Sequence, residues 1–262
     1  MSILVEDRAR GVTIEAVVRG EGTDVILLAS ALRGAADFAE VQNRLAAEGF
    51  RSIALNMRGV GRSDGPDGDF TLRDIADDIA CVIDQLCQGP AHLVGHALGN
   101  ILARATASYR PEVVRSVTVM PCGGHNLGSF PVSDHVLHHF ARCHQFDLSE
   151  AERRESLSVA FFAPGNDPGS WLDGWWPSAG GISAAAMKAD PEEWWRAGDK
   201  PVLILHPLED AMASPDQGLA AKAAFGSCAQ YVEIPNCGHA ILPEQPTIVA
   251  QAIADFVRTQ VH

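Results

Sequence analysis

Residues 93–100 read LVGHALGN, and this stretch decides the prediction of the fold. The run AHLV at 91–94 is typical of a buried strand, and a helical pattern follows the stretch. Between them, Gly95 and Gly99 flank Ala97 with the spacing of the G-x-S-x-G turn, which connects a strand to a helix. Small residues flank the middle position because larger side chains would clash in so sharp a turn. That position normally holds a nucleophile, but here the side chain is a methyl group.

Short apolar runs alternate with helical patterns on both sides of this turn. The other predicted strands are Thr13 to Val18, Asp24 to Ala29, Ser52 to Leu55, Ser116 to Met120, Pro201 to Leu205 and Gln230 to Ile234. A helix is predicted after Thr71, because Thr71 and Asp74 have the spacing of a capping box. This alternation predicts an α/β fold whose mostly parallel, doubly wound sheet is covered by helices on both faces.

The stretch from about Cys122 to Asp199 interrupts this alternation, since it shows no clear buried strand. All five tryptophans lie in it, namely Trp171, Trp175, Trp176, Trp194 and Trp195. We therefore predict an α/β core of residues 1–121 and 199–262, with residues 122–198 inserted as a small helical cap.

Composition excludes several classes of partner. The 262 residues include 20 Lys and Arg against 33 Asp and Glu, a net charge of −13, so a nucleic-acid partner is not expected. No apolar stretch approaches the roughly 20 residues that cross a bilayer, so a membrane partner is not expected either. The first residues, MSILVEDRAR, do not resemble a secretory signal, and we expect a cytoplasmic protein. The six cysteines form no CxxC pair, so we expect reduced, mostly buried thiols.

Further segments resemble the α/β-hydrolase fold superfamily. NMRGVGRSDGP at 56–66 resembles the superfamily's Asp-x-Arg-Gly-x-Gly-x-Ser loop, with Asn56 replacing the usual Asp. FTLRDIADDIACVID at 70–84 resembles the helix before the nucleophile strand. PVLILHPLEDAMAS at 201–214 and NCGHAILPEQP at 236–246 resemble the segments that deliver the catalytic acid and the catalytic histidine. The resemblance therefore covers nearly all of the predicted core.

The resemblance implies a catalytic triad in the order nucleophile, acid, histidine. Ala97 occupies the nucleophile position, Asp210 is the acid and His239 is the base. In such a triad the histidine accepts the nucleophile's proton and the acid orients the histidine and stabilises its charge.

The resemblance also implies an oxyanion hole made of two backbone N–H groups. One belongs to Leu98, directly after the nucleophile position. The second comes by position from Ala31, although the stretch ASALRG at 29–34 lacks the His-Gly pair usual there.

A ligand pocket above the turn is expected to be apolar with a few polar groups. The residues predicted to bind substrate are Arg33, His96, Cys122, Phe162, Trp171, Trp175 and Trp176. The aromatic residues could instead form the cap's own small core. We predict no metal and no cofactor. His135, His138 and His139 share a helical face, but no carboxylate or cysteine is placed to complete a tetrahedral site.

The main functional hypothesis is a serine hydrolase that cleaves an ester or lactone of a small, largely apolar molecule through an acyl-enzyme. Ala97 then reflects a Ser-to-Ala change, introduced to inactivate the enzyme, since the acid and histidine remain. The alternatives are a ligand-binding protein that kept the fold, and a cofactor-free enzyme, of dioxygenase or lyase type, that uses the histidine as a general base. The residues do not separate carboxylesterase from lactonase, amidase or C–C hydrolase, and they give no oligomeric state.

Overall fold

The computed structural model describes residues 1–66, 68–121 and 130–260. Eight strands in these residues form one sheet in the order β1-β2-β4-β3-β5-β6-β7-β8. The strands are β1 (Ser2–Asp7), β2 (Val12–Arg19), β3 (Thr23–Leu28), β4 (Phe50–Asn56), β5 (Ala91–His96), β6 (Val114–Met120), β7 (Val202–Pro207) and β8 (Ala229–Ile234). The pairs β1–β2 and β2–β4 are antiparallel and the other five are parallel. The predicted mostly parallel sheet is confirmed.

Helices cover both faces of the sheet. They are α1 (Ala39–Ala47), α2 (Leu72–Leu86), α3 (Leu98–Tyr109), α4 (Asp134–Cys143), α5 (Glu150–Phe161), α6 (Gly180–Lys188), α7 (Pro191–Trp194), α8 (Pro215–Phe225), α9 (Ile241–Glu244) and α10 (Pro246–Thr259). None of the described helices is long and apolar enough to cross a membrane.

Strand β3 shows why the sheet needs helices on both sides. Its side chains alternate between the two faces, so Ile26 belongs to one buried cluster and Leu27 to another. The first cluster includes Leu102 of α3, and the second includes Ile253 of α10. Both faces of the strand are therefore apolar, which explains the continuous apolar run in the sequence.

The start of α2 follows the prediction made from Thr71. The hydroxyl of Thr71 accepts a hydrogen bond from the backbone N–H of Asp74 at 3.2 Å, and the Asp74 carboxylate accepts one from the N–H of Thr71 at 2.8 Å. The capping box is confirmed, and it starts the helix that covers β1 and β2.

Helices α4 to α7 lie between β6 and β7 in the chain. Helices α4 and α5 pack on each other around a cluster that contains Cys143, Phe161 and Trp171. Trp194 and Trp195 belong instead to the large cluster formed with α3 and the sheet. The region between β6 and β7 thus contains a separate aromatic cluster and a segment that packs directly on the core.

Candidate active site

The turn at Ala97 connects β5 to α3 in a conformation that side chains rarely adopt. Ala97 has φ 48° and ψ −110°, outside the favoured regions for a residue with a Cβ atom. A Cβ atom on Gly95 would overlap the backbone of Gly99, and one on Gly99 would overlap the carbonyl of Leu28. The two glycines are therefore required by close backbone approach, and the turn presents residue 97 beyond the end of the sheet.

Backbone hydrogen bonds hold this turn in place. The N–H of Ala97 donates to the carbonyl of Met120, the last residue of β6, at 2.7 Å, and the N–H of Asn100 donates to the carbonyl of Ala97 at 3.0 Å. The Asn100 side chain donates to the carbonyl of Pro121 at 2.7 Å. The position of residue 97 is thus tied to the neighbouring strand.

Asp210 and His239 meet beside this turn. Asp210 follows β7 and His239 follows β8, and His239 Nδ1 lies 2.9 Å from Asp210 Oδ2. The other carboxylate oxygen of Asp210 accepts the backbone N–H groups of Met212 at 2.7 Å and Ala213 at 2.9 Å. We assign the Nδ1–H tautomer to His239, because an ionised carboxylate accepts that proton. Nε2 of His239 is then the nitrogen that can accept a proton from a reacting group.

His96 supports the loop that carries His239. Its Nε2 donates to the backbone carbonyl of His239 at 2.8 Å, and the residue is fully buried. Burial, together with the nearby His239, lowers the pKa of His96 to about 3, so the ring stays neutral. The sequence predicted a substrate contact for His96, but the ring does not line the cavity. Its hydrogen bond instead holds the backbone of His239 in place.

Ala97 and His239 both line a cavity of about 340 Å³. Its wall is mostly apolar, and the apolar lining residues beyond Ala97 are Ile101, Pro121, Ala186, Met187, Ala189, Pro191, Trp194, Trp195, Met212 and Ala213. Asn100, Arg104 and Gln217 are its other polar lining residues. A cavity of this size suits a small molecule with a few polar groups.

The aromatic residues predicted to line the pocket lie elsewhere. Trp171 is 2% exposed, and its ring packs 5.7 Å from Phe162 and 5.8 Å from Trp175. Trp176 is exposed at the surface. None of these four rings lines the cavity at Ala97, because they pack in the aromatic cluster of α4 and α5 or face solvent.

Trp194 and Trp195 line the cavity instead, and the sequence analysis missed them. The chain contains two Trp-Trp pairs, at 175–176 and at 194–195, in similarly polar surroundings. No local pattern distinguishes them, because the packing of the second pair on α3 is a contact between distant parts of the chain.

Arg33 was predicted to contact substrate, but its guanidinium is instead bound by other residues of the chain. Its guanidinium donates to both oxygens of Asp37, at 2.9 and 2.6 Å, and to the carbonyl of Asp173 at 2.6 Å. It also lies over the rings of Trp171 and Trp175. Arg33 therefore joins the turn after β3 to the segment 171–175 and does not line the cavity.

The predicted oxyanion donors lie on facing segments. Ser30 to Arg33 form a turn in which the N–H of Arg33 donates to the carbonyl of Ser30 at 3.1 Å and Leu32 has φ 58°. Leu98 begins α3, and one narrow void is lined by both Ser30 and Leu98. The assignment of Ala31 and Leu98 as donors stays a prediction.

Two further predictions concern Cys122 and metal binding. Cys122 lies outside the described residues. Within the described ranges, no group of three or more His, Cys, Asp or Glu residues is arranged to hold a metal ion. The five described cysteines have free thiols, of which Cys143 and Cys237 are buried and Cys228 is exposed.

Comparison with known proteins agrees with this architecture. A family model described as "Alpha/beta hydrolase family" matches residues 25–252. A 2-(acetamidomethylene)succinate hydrolase of Mesorhizobium japonicum is 26% identical over 94% of this chain and 92% of its own length. A thermophilic esterase from Thermogutta terrifontis is similar in structure, with a TM-score of 0.76, 22% identity and 100% of both chains covered. An esterase from Exiguobacterium antarcticum has a TM-score of 0.80 and 19% identity, and the match covers 98% of this chain and all of the other. This chain belongs to the alpha/beta hydrolase family.

Proposed function

We propose that this chain carries the site of a serine hydrolase for a small, largely apolar ester or lactone, inactivated by alanine at the nucleophile position. The observation that carries the proposal is the hydrogen-bonded pair of Asp210 and His239, whose imidazole lines the same cavity as Ala97. The hydrolase and esterase names of similar proteins support hydrolytic chemistry. A cytoplasmic location and a small-molecule substrate are parts of the same proposal.

With a serine at position 97, the mechanism follows from the positions of these groups. The serine hydroxyl attacks the ester carbonyl while His239 Nε2 accepts its proton, and Asp210 stabilises the imidazolium that forms. Backbone N–H groups of Leu98 and Ala31 donate to the oxyanion. His239 then protonates the leaving alcohol, and an acyl-enzyme remains. His239 next activates a water molecule, which hydrolyses the acyl-enzyme and regenerates the serine.

With alanine at position 97, the first of these steps has no attacking atom. The loss of a triad nucleophile removes several orders of magnitude of rate and leaves the binding site intact. The glycines and the backbone hydrogen bonds that shape the turn do not involve the side chain of residue 97. The chain is therefore expected to bind its ester without forming an acyl-enzyme.

One observation favours a second candidate function. The contacts of the Asp210 carboxylate and His239 are complete although position 97 carries no hydroxyl. A histidine held in this way can act as a general base on water or on a carbon acid without any cofactor. In that case alanine is the working residue at position 97.

The test compares the unmodified chain with Ala97→Ser on a panel of short-chain 4-nitrophenyl esters and lactones. We expect Ala97→Ser to raise kcat/KM by about 10³-fold or more, since this is the scale of a triad nucleophile. Ala97→Gly is the matched control, because it changes the same side chain without adding a hydroxyl. His239→Ala in the serine background is expected to abolish the gain.

Two other results would each support an alternative. Turnover by the unmodified chain that is lost in His239→Ala and not raised by Ala97→Ser would support general-base catalysis. Tight binding with no turnover in either form would support a ligand-binding protein.

A further inference from the structure

Gln217 carries a polar atom without a hydrogen-bond partner in the wall of the cavity at Ala97. The residue lines this cavity and is 3% exposed. Its Nε2 donates to the backbone carbonyl of Phe130 at 3.3 Å, and since a carbonyl accepts only from the NH2 end of an amide, this contact orients the side chain. Its Oε1 accepts no hydrogen bond from the described residues and is not sealed inside the protein. Gln217 therefore holds an open acceptor at the cavity.

The neighbouring polar side chains of the described wall already have partners. Asn100 donates from its side chain to the carbonyl of Pro121 at 2.7 Å, and its side-chain oxygen accepts from Arg104. His239 is held by Asp210 through Nδ1, and its Nε2 belongs to the reacting end of the cavity. Away from that end, Oε1 of Gln217 is the acceptor that a ligand can use.

The start of α8 fixes the position of Gln217 relative to the reacting end. One carboxylate oxygen of Asp210 binds His239, and the other accepts two backbone N–H groups of the turn that precedes the helix. On the next residue after Gln217, a Cβ atom on Gly218 would overlap the ring of His206 in β7, so the helix lies close against that strand. The carboxylate that orients His239 thus also helps to place Gln217.

An acceptor in an apolar wall selects ligands mainly by rejection. A ligand that covers Oε1 with apolar atoms removes it from water and gives no hydrogen bond in return, which is unfavourable. A ligand with an O–H or N–H group at this point forms that bond, and sites of this kind strongly reject analogues that lack the donor. The amide of Gln217 is uncharged and the described lining includes no aspartate or glutamate, so the matching donor is neutral.

We propose that Gln217 determines specificity by accepting a hydrogen bond from a hydroxyl group of the substrate. A hydroxyl suits the apolar wall better than an amide, which would bring a carbonyl into the same surroundings. The substrate class is then a small ester or lactone with a hydroxyl on an otherwise apolar chain. This inference rests on the proposed function for the identity of the reacting group, but the hydroxyl site itself can be tested without turnover.

The test uses two pairs of esters in which a hydroxyl is replaced by a methoxy group. They are methyl 3-hydroxybutanoate with methyl 3-methoxybutanoate, and methyl 5-hydroxyhexanoate with methyl 5-methoxyhexanoate, which place the donor at different distances from the ester. Binding to the unmodified chain is followed by tryptophan fluorescence, since Trp194 and Trp195 line the cavity. In at least one pair we expect the hydroxy ester to bind about 10-fold or more tightly, because the methoxy ester leaves Oε1 unpaired.

Two variants of Gln217 separate hydrogen bonding from the larger size of the methoxy group. Gln217→Met removes the acceptor and keeps the length of the side chain, so the ratio of affinities is expected to fall to about 1. A steric effect of the methoxy group would persist in this variant. Gln217→Glu keeps an acceptor oxygen and is expected to keep the preference, which also provides a test should the methionine form not fold.

Gln251→Met is the matched control, since it changes an exposed glutamine that donates to Asp255 on α10, outside the cavity. It is expected to keep the preference for the hydroxy ester. Any one of four results would overturn the hydroxyl site: equal affinities in both pairs, no measurable binding of any of the four esters to the unmodified chain, a ratio unchanged in Gln217→Met, or a ratio lost in Gln217→Glu.

Hydrolysis by the Ala97→Ser form separates the two proposals. Hydroxyl-selective binding through Gln217 without any hydrolysis would reject the hydrolase function and keep the hydroxyl site. Hydrolysis of hydroxy and methoxy esters at equal kcat/KM, unchanged by Gln217→Met, would keep the hydrolase function and reject the hydroxyl site.

Discussion

Arg33 and Arg104 each lie over two tryptophan rings, but Arg104 lines the cavity and Arg33 does not. The guanidinium carbon of Arg33 lies 4.9 Å from the ring centres of Trp171 and Trp175, close to the 4.7 and 4.8 Å found for Arg104 with its two rings. The difference lies in their position. Arg33 forms a bidentate ion pair with Asp37 away from the cavity, and Arg104, which donates to oxygens of Asn100, is part of the cavity wall.

The comparison shows that a stacked arginine is not by itself a ligand site. In the segment after β3, the carboxylate of Asp37 neutralises the guanidinium of Arg33 and both side chains are nearly fully buried. In the cavity region, the guanidinium lies at the wall of a space large enough for a ligand. The position of the guanidinium relative to the cavity, and not the aromatic stack, therefore distinguishes the two arginines.

The largest effect that would sharpen this comparison is expected for Arg33→Met. The substitution leaves the carboxylate of Asp37 buried without its cation, which typically destabilises a protein by about 3–5 kcal/mol. The free energy of unfolding in urea measures the loss. Asp37→Asn in the same background is expected to recover part of it, because it removes the uncompensated charge. A loss below about 1 kcal/mol, the scale of an exposed pair, would contradict the structural role of Arg33.

An intermediate effect is expected for His96, which lies between the two regions. Its ring centre is 6.0 Å from that of Trp171 and 5.7 Å from that of His239. Burial lowers the pKa of His96 from 6.5 to about 3, so between these pH values the unfolded chain binds a proton that the folded chain does not. Stability is therefore expected to rise with pH across this window and to be lost as pH falls, by up to about 1.4 kcal/mol per pH unit.

The variant His96→Gln isolates this contribution from that of other histidines. Glutamine keeps an N–H donor for the His239 carbonyl but does not titrate. The slope of the unfolding free energy against pH is measured by urea unfolding between pH 4 and 6. We expect it to decrease by about 1.4 kcal/mol per pH unit, which corresponds to one proton. An unchanged slope would show that His96 does not carry the effect.

The smallest effect concerns ligand affinity and compares Trp194→Phe with Trp175→Phe. Both substitutions replace an indole ring stacked on an arginine with a smaller phenyl ring, but only Trp194 lines the cavity. We expect a short-chain 4-nitrophenyl ester to bind about 5-fold more weakly to Trp194→Phe, which corresponds to about 1 kcal/mol of lost contact. Trp175→Phe is expected to bind it as the unmodified chain does. Equal losses in both variants would remove the distinction between the two regions.

The sequence predicted the parts of the site that depend on local pattern. The glycines around Ala97 impose the turn through backbone overlap, and the apolar run before them requires a strand buried on both faces. Asp210 and His239 were identified from the resemblance of their segments, and the structure places them 2.9 Å apart. In each case the informative residues are close together in the chain.

The sequence did not predict which aromatic residues surround the cavity. The ion pair of Arg33 with Asp37 has an i,i+4 spacing that could have been noticed, but its contact with Asp173 joins residues 140 positions apart. The support of His239 by His96 likewise joins residues 143 positions apart. Such contacts depend on how the elements pack, and propensity and periodicity carry no information about them.

The amino-acid sequence alone determined the fold class, the strand-to-helix turn at Ala97 and the order of the acid and the histidine. The first two follow from the alternation of apolar residues and from glycines at positions that tolerate no side chain, and the third is what the resemblance to the hydrolase superfamily implies. The tertiary structure alone decided that Trp194, Trp195 and Arg104 line the cavity, while Trp171 packs in the cluster of α4 and α5 and Arg33 lies against Trp171. The physical reason is that burial and charge pairing arise between segments far apart in the chain, where similar local sequences have different neighbours.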